Sequence, residues 1–146
     1  MVYFKRPGFA LLEVLLLVTA VFLLTGITVL AINPGEKLGD KNNIQRRVDA
    51  RAILDAVYQY SADHNGALPK TITASSTEIC KSNINCSGLI NLSMLTTDQK
   101  YLNSLPLDPT ANSNNGTDYY ISLSASGTVT VSAPRADKGE VISISR

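Results

Sequence analysis

One stretch decides most of what this chain can become. From Phe9 to Ile32 it runs for 24 residues with a single ionisable side chain, Glu13. A helix rises about 1.5 Å per residue, so the run reaches roughly 36 Å, more than the roughly 30 Å of a bilayer's hydrocarbon core. Leu, Val, Ile and Ala dominate it, and no proline interrupts it; Thr19, Thr25 and Thr28 are placed to return their hydroxyls to carbonyls a turn earlier. Gly26 is its weakest helix former. The anomaly is Glu13. A carboxylate in hydrocarbon costs about 2.5–3.5 kcal/mol on insertion scales, so it reads as functional, and the span holds no cation to offset it.

A cut between Gly8 and Phe9 would create that cation, an ammonium four residues and one helical turn before Glu13. Lys5-Arg6-Pro7-Gly8 followed by Phe9, with Glu at the fifth position of the cut chain and an apolar helix behind it, resembles the class III signal of type IV pilins and pseudopilins. The resemblance implies that a prepilin peptidase cleaves after Gly8 and that Phe9 becomes an N-methylated terminus. It also implies that Glu13 guides assembly by pairing with the terminal amine of a neighbouring copy. Ala10 stands where that family usually has Thr, and Pro34 lies further out than the family's helix-kinking proline. Two other readings compete. A simple signal anchor needs only the apolar run and leaves Glu13 unexplained. A secretory signal cleaved after Ala31 would have an apolar region of roughly 7–15 residues, shorter than this one.

The expected organisation is a leader at 1–8, a transmembrane or filament-core helix at 9–32, and an amphipathic helix with a globular head at 33–146. The last part is about 114 residues, enough for one small domain. Pro34 should bend the helix or restart it. Beyond it Ile44, Val48, Ala52, Ile53, Ala56, Val57 and Tyr60 recur at spacings of three and four, with Lys41, Gln45, Arg46, Asp49 and Asp55 on the other faces. Asn65-Gly66, with Pro69 beyond, marks the helix end. Arg46 and Arg47 read either as contacts to lipid phosphates or neighbouring acids, or as a solvated face. The run Ile53 to Tyr60, with Asn65-Gly66 and Leu68-Pro69, is also similar to the helix and helix exit of bacterial pilin-like proteins.

Residues 70 to 86, rich in Ser, Thr and Asn, read as a surface loop. Leu89 to Tyr101 reads as a turn and short helix with Leu92 and Leu95 inward and Ser93 as a cap. Tyr119 to Leu123, Thr128 to Ala133 and Glu140 to Ser145 alternate apolar with small polar residues, giving about three antiparallel strands with turns at Ser126-Gly127 and Lys138-Gly139. The buried sets are Ile121/Leu123, Val129/Val131/Ala133 and Ile142/Ile144. The fold class is therefore α+β: a long apolar helix, then an amphipathic helix packed on a small antiparallel sheet.

Cys80 and Cys86 lie six apart. A disulfide between them would close a loop worth about 2 kcal/mol and would persist outside a reducing compartment. Two free thiols or a metal site are the alternatives, although the single histidine, His64, leaves a metal set one ligand short. A formal net charge of +1, without basic residues interleaved with aromatics, gives no footprint for nucleic acid. No nucleophile elbow or phosphate loop is present, so catalysis is not expected.

Calcium is the one cofactor suggested. By similarity to major pseudopilins, Asp108 and Asp118 are candidate ligands in a loop before the last strands. Their spacing does not fit the twelve-residue calcium loop, however, and Asp and Asn are also turn formers. The resemblance thus implies a structural subunit of a type IV pilus; alternatives are a secretion pseudopilin and a DNA-uptake or adhesive minor pilin. Its partners would be copies of itself and related pilins, a prepilin peptidase and an inner-membrane assembly platform. Basic residues flank both ends of the span, so the orientation with the head outside the cytoplasm comes from the resemblance alone.

Overall fold

The computed structural model describes residues 11–32, 34–82 and 85–146. The chain forms two compact units, Met1–Leu38 and Gly39–Arg146.

In the first unit, helix α1 covers Leu11–Ile32. Beyond the first turn its backbone donors are satisfied within the helix, and the threonine hydroxyls bond as expected. Thr19 Oγ1 donates to Leu16 O at 2.9 Å, Thr25 Oγ1 to Val21 O and Phe22 O at 2.9 Å each, and Thr28 Oγ1 to Thr25 O at 2.8 Å. These hydroxyls need no water, which suits a helix in hydrocarbon. Every side chain from Leu11 to Thr28 is exposed. The stretch Leu11–Thr28 is long and apolar enough to cross a membrane.

Helix α2 covers Pro34–Asp63 and opens on proline, whose missing amide costs nothing in a first turn. Its end is the expected one. Asn65 (φ 55°) and Gly66 (φ 86°) both take the left-handed conformation, and Gly66 N donates back to Ser61 O at 2.8 Å.

The second unit is built on a four-stranded antiparallel sheet in the order β1-β2-β3-β4: β1 Thr77–Cys80, β2 Gly116–Leu123, β3 Val129–Ala133 and β4 Ile142–Ser145. The three strands read from alternation are present. Ile121 faces Val131, and Val131 faces Ile144, so the apolar positions share one face. Gly127 (φ 87°) makes the β2–β3 turn. The fourth strand, β1, lies in the stretch expected to be loop. Its far edge is covered by the segment around Ile90, which exchanges bonds with Glu78 and Cys80. Between Leu89 and Tyr101 there are two short 3-10 turns, with Leu92 and Leu95 buried as expected. Ser93 is not their cap: Asn91 Oδ1 instead accepts the Ser93 amide at 2.9 Å.

One apolar cluster joins α2 to the sheet. Ala50, Ile53, Leu54, Ala56 and Val57 meet Tyr119, Ile121, Val129, Val131, Ala133 and Ile142, with Ile79, Leu92, Leu95 and Leu105 filling the sides. The first turns of α2 in this unit break the expected pattern. Ile44 and Val48, read as part of the buried stripe, are 65% and 56% exposed, whereas Arg46, read as outward, is fully buried. From Gly39 to Asp49 the inward face of α2 is polar.

Candidate functional site

Three features carry chemistry: the start of α1, the buried arginine of α2, and the region of β1, β2 and the loop before β2 that holds Cys80, Asp108 and Asp118.

Glu13 lies in the first turn of α1, where a carboxylate complements the helix's positive end. It is exposed and has no partner among the described residues. Gly8 and Phe9, the expected cleavage junction, lie outside the described residues. The helix behind Glu13 exposes Leu11, Leu15, Phe22, Leu23 and Ile27, all at more than half of their surface. An apolar surface of this extent is compatible with lipid or other helices around it.

Arg46 spends all five of its donors. Nε and one terminal nitrogen form a fork on Asp108 at 2.7 and 3.0 Å, and that terminal nitrogen also reaches Thr110 Oγ1 at 2.9 Å. The other terminal nitrogen holds Asp137 Oδ2 at 2.7 Å and Asn43 Oδ1 at 2.9 Å. The bonds that Arg46 donates to Asp108 raise the guanidinium above its ordinary range, against the opposing effect of burial, and Asp137 adds to the rise. Burial pushes the Asp108 carboxyl the other way, yet the Arg46 fork and two bonds from Thr110 outweigh it and hold Asp108 below the usual carboxylate range. Asp137 is lowered by the same guanidinium.

The tie extends along α2. Asn43 bonds the Asp137 backbone through both its amide groups, Arg47 pairs with Glu140, and Lys138 pairs with Asp40. One turn further, Tyr119 Oη donates to Asp49 Oδ2 at 2.8 Å, and burial with that carboxylate pushes the phenol's pKa up. Neither arginine was read in this role. The signal, Asp108 and Asp137 as distant acids, is not a local one.

Cys80 and Cys86 are joined, with Cα atoms 5.5 Å apart. The disulfide alternative is therefore the one realised. Close by, β2 carries a bulge: Glu78 faces Tyr120 while Cys80 faces Gly116. Asp118 sits in it with φ 63°. Thr117 Oγ1 donates to Ile79 O, and the Asp118 amide donates to Glu78 Oε1, which satisfies the interrupted ladder.

The two aspartates suggested for calcium are employed separately. Both oxygens of Asp108 are committed to Arg46 and Thr110. One oxygen of Asp118 accepts the amides of Asn112 at 2.9 Å and Ser113 at 3.3 Å. Among the described residues no group of three or more His, Cys, Asp or Glu is placed to hold a metal ion. Asp108 and Asp118 do not fit a shared calcium site, because a cation at Asp108 would have to displace a buried guanidinium.

Comparison with protein families, curated proteins and solved structures found no match to this chain.

Proposed function

We propose that this chain is the precursor of a structural subunit of a type IV pilus or similar filament. A prepilin peptidase would cut it after Gly8, and an inner-membrane assembly platform would insert it among copies of itself and related pilins. The observation that carries the reading is an apolar helix exposed from Leu11 to Thr28, whose one acid, Glu13, follows Phe9 by four residues in sequence. Phe9's new ammonium is the partner that would make an acid in that position tolerable. A disulfide-tied head supports an address outside the cytoplasm. In this reading the chain is first a single-pass membrane protein and then part of an envelope filament.

Mass spectrometry of the mature amino terminus tests it. Methylated Phe9 is the expected result; a chain that retains Met1, or begins at Ile32, overturns it. Glu13→Ala should leave the head folded and the precursor inserted while blocking or slowing incorporation. Filaments that form normally from that variant would remove the acid from the mechanism. A secretion pseudopilin is the second reading, because the Leu105-Pro106 to Asp108-Pro109 segment resembles the one that leads into the sheet of major pseudopilins. Deletion separates the two: lost filaments mark a pilus subunit, and intact filaments with stalled export mark a pseudopilin.

A further inference from the structure

Lys81 follows Cys80 at the end of β1, and its partners are backbone oxygens. Its ammonium donates to Ser113 O at 2.5 Å and lies 3.4 Å from Asn114 O. Its amide donates to the next carbonyl, Asn115 O, at 2.8 Å. Two neighbouring carbonyls thus face one positive centre, and carbonyl oxygens are what a polypeptide backbone offers a hard cation. An ammonium has three donors and no acceptor, so it can occupy such a place from within the chain.

The same loop is tied from its other side by an anion. Asp118 collects the amides of Asn112 and Ser113, and Ser113 Oγ accepts the Gly116 amide at 2.9 Å. The loop therefore presents carbonyls to a cation and amides to a carboxylate. The residue before Lys81 is anchored: Cys80 is joined by its disulfide to Cys86, and its amide donates to Ile90 O at 2.9 Å.

We propose that the loop 112–115, just before β2, is a cation-binding loop whose resident cation is the chain's own Lys81 ammonium. The head closes this loop without a metal ion, and a small hard cation such as Ca²⁺ gains access to the Ser113 and Asn114 carbonyls only once the ammonium is removed. The misfit of calcium at Asp108 and Asp118 then has a physical reason. Arg46 neutralises one carboxylate, and Lys81 occupies the carbonyls beside the other. The proposal does not depend on filament assembly.

Thermal unfolding of the full-length chain in detergent, with excess Ca²⁺ or with chelator, tests it. Wild type should melt at one temperature in both. Lys81→Met and Lys81→Gln should melt about 4–8 °C lower in chelator, and Ca²⁺ should return part of that loss. Lys81→Arg, which keeps the charge, should stay indifferent to Ca²⁺. If the neutral variants fold only when prepared in Ca²⁺, the proposal stands; if they fold in neither condition, it falls. A wild-type midpoint that drops on chelation also overturns it. So do neutral variants that melt with wild type, or that melt lower and ignore Ca²⁺.

Discussion

Arg46 shows how much one side chain can be asked to hold. A buried ion pair contributes little net stability against a well-packed apolar alternative, but removing one partner strands the other charge and costs about 3–5 kcal/mol. Asp108→Ala should therefore lower stability by about that amount in denaturant titration, far more than Asp63→Ala, whose pair with Lys100 is exposed. The pH dependence follows from the same geometry. Asp108's folded pKa is depressed, so its contribution is present above the unfolded value of about 3.9 and is lost as pH falls through the lower folded value. Asp137 acts in the same direction. Wild type should lose stability steeply below about pH 4, and Arg46→Met should show a shallower acid loss on a lower baseline, measurable as midpoints across pH. Gly116 is a second sensitive position. A Cβ there would lie 1.9 Å from Glu78 Oε1, and moving that carboxylate away breaks its bond to the Asp118 amide. Gly116→Ala should cost about 1–3 kcal/mol, and Glu78→Ala combined with it should add little further.

At the scale of elements, the α2 face explains what could and could not be read in advance. Ile44 and Val48 match a helical stripe as well as Ile53 and Val57 do, yet only the second pair is buried. The stripe swings because Arg46 must reach Asp108 and Asp137, which are 62 and 91 residues away in sequence. Periodicity is local and cannot register such partners. The variant Ile44→Gln with Val48→Gln should accordingly leave the melting midpoint nearly unchanged, within about 0.5 kcal/mol, whereas Ile53→Ala should cost about 2–5 kcal/mol. The strands after Gly116 were legible because β2, β3 and β4 keep a period of two against one core. β1 was not, because Thr77–Cys80 is four residues in a polar stretch and its register is set by a partner strand 40 residues on. The disulfide was open from spacing alone. Once β1 places Cys80, the short return to Cys86 is within reach.

For the whole molecule, α1 sets the solvent. Its exposed apolar surface should send the full-length chain into detergent or liposomes, and deletion of residues 9–32 should move it to the aqueous phase in the same partition assay. Recovery of the full-length chain in water as a monomer would refute a membrane-spanning helix. Arg46 also imposes an order in time. Its two acids follow it by 62 and 91 residues, so the guanidinium is fully compensated only when residue 137 is available. A ribosome or translocon releasing the chain from its amino terminus delivers the helix first and the second acid 91 residues after Arg46. Until then the head carries a charge that it cannot bury. Chains truncated before Asp137 should stay open to proteases, and completion of the head is in effect a check that the chain has been delivered at least as far as Asp137.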